Sequence, residues 1–100
     1  MLSEREVEAI IIREKGGIPY SPVYPKGRKD VCAVKCMVDE SDVLFLVIKY
    51  ENGVSVTEMA SAPAIFVEKV EIDKLGNVII KDKYGNIYQE RFYLPDDFGK

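Results

Sequence analysis

The sequence predicts an α+β fold, with one N-terminal helix packed on a mainly antiparallel curled sheet or partial barrel of about six strands that ends in a three-stranded meander. Three observations lead there. Helical spacing of apolar residues, bounded by capping signals, is confined to the first turns of the chain. From Val31 onward the apolar residues alternate or run continuously in strand-sized stretches, and turn residues follow one another too closely for anything but hairpins. At 100 residues the chain, residues 1–100, is expected to be a single domain with one core.

The helix is written in "LSEREVEAIIIREKGG". Ser3 is placed as N-cap with Glu6 three residues on, the pattern of a capping box, and Leu2 and Val7 flank it as a hydrophobic staple. Val7, Ile10 and Ile11 recur at helical spacing, and Gly16 and Gly17 supply the stop, so the helix should run from Glu4 to Lys15. Glu4, Glu6 and Glu8 lie toward its start, where carboxylates complement the positive end of the helix dipole.

"IPYSPVYPKGRKD" follows. Pro19, Pro22 and Pro25 recur every third residue, the repeat of a polyproline II helix, so the segment should be extended with the three rings on one face. Tyr20 and Tyr24 interleave with the prolines, and Lys26, Arg28 and Lys29 come next. Aromatic faces beside cations suit a nucleobase, a phosphate or a partner protein. As a connector, the same residues would lay their rings over the core edge and leave their charges in water.

In "DVCAVKCMVD" one side of a strand carries Cys32, Val34, Cys36 and Val38 and the other Val31, Ala33, Lys35 and Met37. The two cysteines then point the same way roughly 13 Å apart, beyond the ~7 Å reach of a disulfide, and are expected to act as small buried apolar residues. "DESD" is a turn. "VLFLVIKY", apolar without interruption, should be a central strand covered on both faces. "ENG" signals a hairpin into "VSVTEMA", "SAPA" breaks that strand, and "IFVEKVEID" resumes, with Phe66, Val70 and Ile72 sharing a side. "DKLGN" at 73–77 and "DKYGN" at 82–86 repeat one frame: Asp bonds nearby backbone and Gly takes the positive φ that closes the turn. The meander they make should cover residues 65–73, 77–82 and 86–93.

Composition narrows the chemistry. The net charge is −3, with the Lys/Arg and Asp/Glu balanced in the first half and an acidic excess in the second, which is not the charge of a protein living on duplex DNA. The chain has no histidine, which removes the commonest general base and zinc ligand together. Two cysteines alone cannot build a zinc site, no glycine-rich phosphate loop precedes a helix, and a Ser or Cys nucleophile would lack its histidine. No cofactor or metal is called for. No apolar run approaches the ~20 residues of a membrane span, and the acidic start differs from a secretory signal, so a cytoplasmic protein without membrane contact is expected. The absence of tryptophan and the frequency of Ile, Val, Lys and Glu fit a thermophilic source.

Over residues 4–60 the order of features resembles the PD-(D/E)xK nucleases, including the archaeal Holliday junction resolvases. A helix bearing Glu8 is followed by the basic "KGRKD", then Ser41-Asp42 ahead of "VLFLVIKYENGVSVTEMA", with Glu58-Met59-Ala60 in the Glu-x-Lys place. The resemblance implies Glu8, Asp42 and Glu58 as catalytic carboxylates, Asp42 and Glu58 holding Mg²⁺. It also implies branched or duplex DNA as substrate, or as ligand of a catalytically silent relative. Position 60 is Ala where that family has its lysine; aligning Asp30 with Lys49 restores Asp and Lys but sets Val47 in the glutamate place. The first expectation is therefore a small non-catalytic binding or interaction module. Its contact surface is the loop of residues 20–29, with Tyr20, Tyr24, Lys26, Arg28 and Lys29 as binding residues. Its target is a partner protein first and single-stranded nucleic acid second. An open edge strand also offers a route to a homodimer.

Overall fold

A computed structural model describes residues 2–59 and 67–95. The helix α1 spans Glu4–Lys15, as its caps specify. The Ser3 hydroxyl accepts the Glu6 N–H at 3.1 Å, and Gly16, at φ 66°, ends the helix with its N–H on the Ile12 carbonyl. The capping box is only half made, because the Glu6 carboxylate turns away and accepts from Lys49 Nζ at 3.0 Å. That hydrogen bond lowers the Glu6 pKa against the opposing effect of burial.

Seven strands follow among the described residues, not six, and they form two sheets rather than one curled sheet; no barrel closes. The first sheet has the order β1 (Ile18–Pro19), β2 (Val31–Val38), β3 (Ser41–Tyr50), β4 (Gly53–Glu58), and the second β5 (Val67–Ile72), β6 (Asn77–Asp82), β7 (Ile87–Arg91). Every pairing is antiparallel. The Pro-rich segment also departs from a free polyproline helix. Pro19 pairs opposite Cys36, Tyr20 donates its N–H to the Lys35 carbonyl, and Val23 bridges Ala33. It runs as a broken edge strand along β2, a place in a sheet where prolines are tolerated.

The two-cover expectation for β3 holds residue by residue. Leu44, Leu46 and Ile48 face one core, shared with Val31 and Ala33 of β2 and with Val70, Val78 and Ile80 of the second sheet. Phe45 and Val47 face the other, shared with Cys32, Val34 and Cys36 and with Leu2, Val7, Ile10 and Ile11 of the helix region. The layers are therefore helix, four-stranded sheet, three-stranded sheet. Both cysteines are free and buried, and burial pushes the Cys32 thiol up to about 12, which leaves it an apolar packing group. The Cα radius of gyration, 12.6 Å, is that of one compact domain of this length. Among the described residues no helix is long and apolar enough to cross a membrane.

Three details position the loops. The β2–β3 connection is a two-residue turn, Asp39-Glu40, with both φ positive (49° and 67°), the backbone that matches strand twist in tight hairpins. In β5 the register shifts between Val67 and Lys69. Val70 and Ile72 pack in the same core; Phe66, expected to share their side, lies outside the described residues, as does "SAPA". The two repeated turns are built alike. Asp73 Oδ1 accepts the N–H of Leu75 and of Asn77 and its Oδ2 the Asn77 amide; Asp82 does the same with Tyr84 and Asn86. Gly76 and Gly85 close them at φ 85° and 84°.

These turns carry a pH dependence. For Asp73 the Asn77 bonds outweigh burial; for Asp82, only 3 % exposed, burial is the largest single influence and raises the pKa, yet the Asn86 and backbone bonds together prevail. Both carboxyls end below their ordinary value. A depressed folded-state pKa contributes stability that is complete above the unfolded value of about 4 and is lost as pH falls through the folded value. The thermal midpoint should hold steady down to about pH 5 and drop steeply below about pH 4. Asp82→Asn should blunt that drop, and an acid limb unchanged in that variant would assign it elsewhere.

Candidate functional site

The loop singled out by the sequence is anchored rather than loose. The Lys29 carbonyl accepts the Leu2 N–H and the Asp30 carbonyl the Lys49 N–H, which ties the end of "KGRKD" to the folded body. Arg28 forms a two-pronged pair with Asp30, both contacts 3.2 Å. Lys29 Nζ lies 5.2 Å from the centroid of the Tyr24 ring, and Lys35 Nζ 5.4 Å from that of Tyr20, within cation–π range. Tyr24 packs against the helix-side core, and Tyr20 is exposed. The five candidate residues thus divide: Tyr24 and Lys29 stack on each other on the helix side, Tyr20 engages Lys35, and Lys26 and Arg28 face elsewhere.

Tyr24 carries an unexplained cost. Its hydroxyl is buried with no hydrogen-bond partner among the described residues, and burial, reinforced by Cys32, Glu4 and Glu6, raises its pKa. An unsatisfied buried hydroxyl costs about 1–3 kcal/mol. Tyr24→Phe should therefore leave stability unchanged or raise it by about 1 kcal/mol in urea unfolding. A loss of that size would instead reveal a bond made by the hydroxyl.

Lys26 and Arg28 form one wall of a cleft of about 1030 Å³, whose other walls are residues 69–76, from β5 and its turn, and residues 91–95, leaving β7. Three further cations, Lys69, Lys74 and Arg91, line it, against the carboxylates of Glu71 and Asp73. Both carboxylates are occupied. Glu71 lies 3.0 Å from Lys69 and 3.2 Å from Lys81, which depress its pKa, and Asp73 is held by Asn77. Lys26 and Lys74 make no ion pair with a described residue. At the rim stand two exposed apolar side chains, Leu75 at 68 % and Tyr93 at 92 %, and the Tyr93 backbone is fixed by the Tyr50 hydroxyl, which donates to its carbonyl. No known family, curated protein or solved structure matches the chain.

Sequence reasoning found one wall of this cleft and missed the other two. The available signal was the hairpin register: Asn77 lies opposite Arg91, so Arg91 had to sit beside the 73–77 turn and its Lys74. What no local pattern carries is the approach of that turn to residues 25–28.

The nuclease constellation is not assembled. Glu8 is exposed on α1. Asp42 shares the sheet face of Leu44 and Lys35 and pairs with Lys35 Nζ at 3.4 Å. Glu58 lies directly opposite Phe45 in the β3–β4 ladder, and cross-strand partners share a face, so it projects on the helix side. Asp42 and Glu58 are on opposite faces of one sheet and cannot chelate one Mg²⁺. Among the described residues no group of three or more His, Cys, Asp or Glu side chains can hold a metal ion. Asp30 and Lys49, the other register, are engaged with Arg28 and Glu6 respectively.

Proposed function

We propose that this chain is a small non-catalytic binding module that receives an acidic partner protein at the cleft beside residues 25–28. The observation that carries the reading is the charge inventory there: the cleft is lined by Lys26, Arg28, Lys69, Lys74 and Arg91 against Glu71 and Asp73, and with Arg28 paired to Asp30 and both lining carboxylates held by the protein's own groups a positive surplus remains. The surplus is local in a chain whose net charge is −3, so a negative ligand is drawn to one place rather than to the whole surface. The anchored loop presents Lys26 on backbone that loses little freedom on docking. Leu75 and Tyr93 add apolar contacts of the kind protein interfaces use. Single-stranded nucleic acid is the second reading, since cations beside an exposed tyrosine also suit a phosphate and a base.

The test is a titration of the full chain with fluorescent poly-glutamate, oligo-dT and four-way-junction DNA, at low and moderate salt, with and without Mg²⁺. Poly-glutamate should bind, weaken as salt rises, and lose about tenfold in affinity when Lys26 and Lys74 are both changed to Ala. Tighter, salt-sensitive binding of oligo-dT would move the reading to nucleic acid, and cleavage in Mg²⁺ abolished by Asp42→Ala would make it an enzyme. No binding at low salt would retire the cleft as an anion-binding surface.

A further inference from the structure

We infer that the cleft holds its partner as an added β-strand: an extended acidic segment of another protein pairs with the open edge of β5. This rests on the binding reading above and specifies how the ligand is gripped. Among the described residues β5 pairs through one edge only, with β6, and no backbone hydrogen bond joins its other edge to any of them. Four consecutive residues of the strand, Lys69 to Ile72, line the cleft, and the lining continues through the turn to Gly76. Successive side chains of a strand point to opposite faces, so a cavity lying over one face would be lined by alternate residues. Lining by every residue in turn means that the cavity runs along the strand's edge.

An open edge presents a row of backbone N–H and C=O groups ready for a second chain, and peptide recognition by strand addition uses them for affinity while side chains set selectivity. The bulge between Val67 and Lys69 twists the start of the edge away, so the regular ladder available to a ligand begins at Lys69. There the charges select. Lys69 and Lys74 stand toward the two ends of the edge and Lys26 on the opposite wall, so acidic residues of an added strand find cations there, while Glu71 between them is already held by Lys69 and Lys81. Between those positions, the half-buried Ile72 and Leu94 offer apolar contact. A nucleic acid has no amide edge to match the ladder.

Fluorescence anisotropy with a labelled ten-residue peptide of alternating Asp and Val tests this, beside the same peptide N-methylated at every second residue and beside oligo-dT. The N-methyl groups keep charge and side chains while removing the donors of one strand edge. Two or more lost backbone bonds should weaken binding by about tenfold or more, and amide hydrogen exchange at Val70 to Ile72 should slow in the unmethylated complex. Equal binding of both peptides whichever edge is methylated, with no protection in β5, would overturn strand addition while leaving the acidic-partner reading intact. Failure of both peptides at low salt, with oligo-dT bound, would overturn the two together.

Discussion

Replacing Leu46 by Ala is expected to lower the free energy of unfolding by about 2–5 kcal/mol, the range for a large aliphatic side chain removed from a packed core. Leu46 is fully buried in the middle of β3, at the junction where the first sheet meets Val70, Val78 and Ile80 of the second. The cavity would open between two sheets, each stiffened by its own ladders, so neither side can readily collapse into it. A domain of this size is stabilised by about 5–15 kcal/mol in total, and each kcal/mol lost should lower Tm by about 4–8 °C. Urea unfolding of the two proteins measures it. A loss under about 1 kcal/mol would mean that the sheets are not packed through this residue.

The second large effect is expected at Gly17. A Cβ there would lie 2.5 Å from Cys36 Sγ, 2.7 Å from the Met37 carbonyl oxygen and 2.8 Å from Val38 Cγ2. Two of these are side-chain atoms, but both belong to residues of β2, and the third is backbone of β2 on the side where Met37 pairs with Ile18 of β1. Gly17 is the corner where the chain leaves the helix and enters the edge of the sheet, and only a residue without a side chain fits. Gly17→Ala should cost about 1–3 kcal/mol by overpacking. Gly16→Ala, at a position with open space but positive φ, separates the two causes: its cost of about 1 kcal/mol would be backbone strain alone. Equal, small losses at both positions would argue against the close contact.

Local signals were legible to the residue. The bounds of α1 follow from Ser3 and Gly16, groups that act within a turn of themselves, and the 73–77 and 82–86 turns follow from Asp, Gly and Asn side chains bonding their own backbone. The double burial of β3 was readable because a strand apolar at every position has no wet face. The division into two sheets was not. β4 and β5 each look like strands able to pair with a neighbour, and whether they pair with each other is decided by docking of the layers. Prolines hid β1, since extended chain looks alike whether or not its edge is paired. Glu6 illustrates the limit in one residue: its place in the capping box is local, but Lys49, forty-three positions away, takes its carboxylate. Of the candidate site, Lys26 and Arg28 were visible as a cluster, whereas Lys69, Lys74 and Arg91 are scattered in sequence and converge only through the β5–β6–β7 register.

The strand order has a consequence for how the chain comes to be folded. In both sheets each strand lies beside its immediate predecessor in sequence, so no strand waits for one synthesised much later. The β2–β3, β5–β6 and β6–β7 ladders can zip outward from the two-residue turn at Asp39-Glu40 and from the Asp73 and Asp82 turns, each a short loop to close. The helix and first sheet are complete by Met59 and can form while the remainder is still being made. One non-local event is left for the end: the meander settles onto Leu44, Leu46 and Ile48, and the transition state should be crossed before that contact is sealed. Leu46→Ala would then act mainly by speeding unfolding, with the folding limb of its chevron little changed.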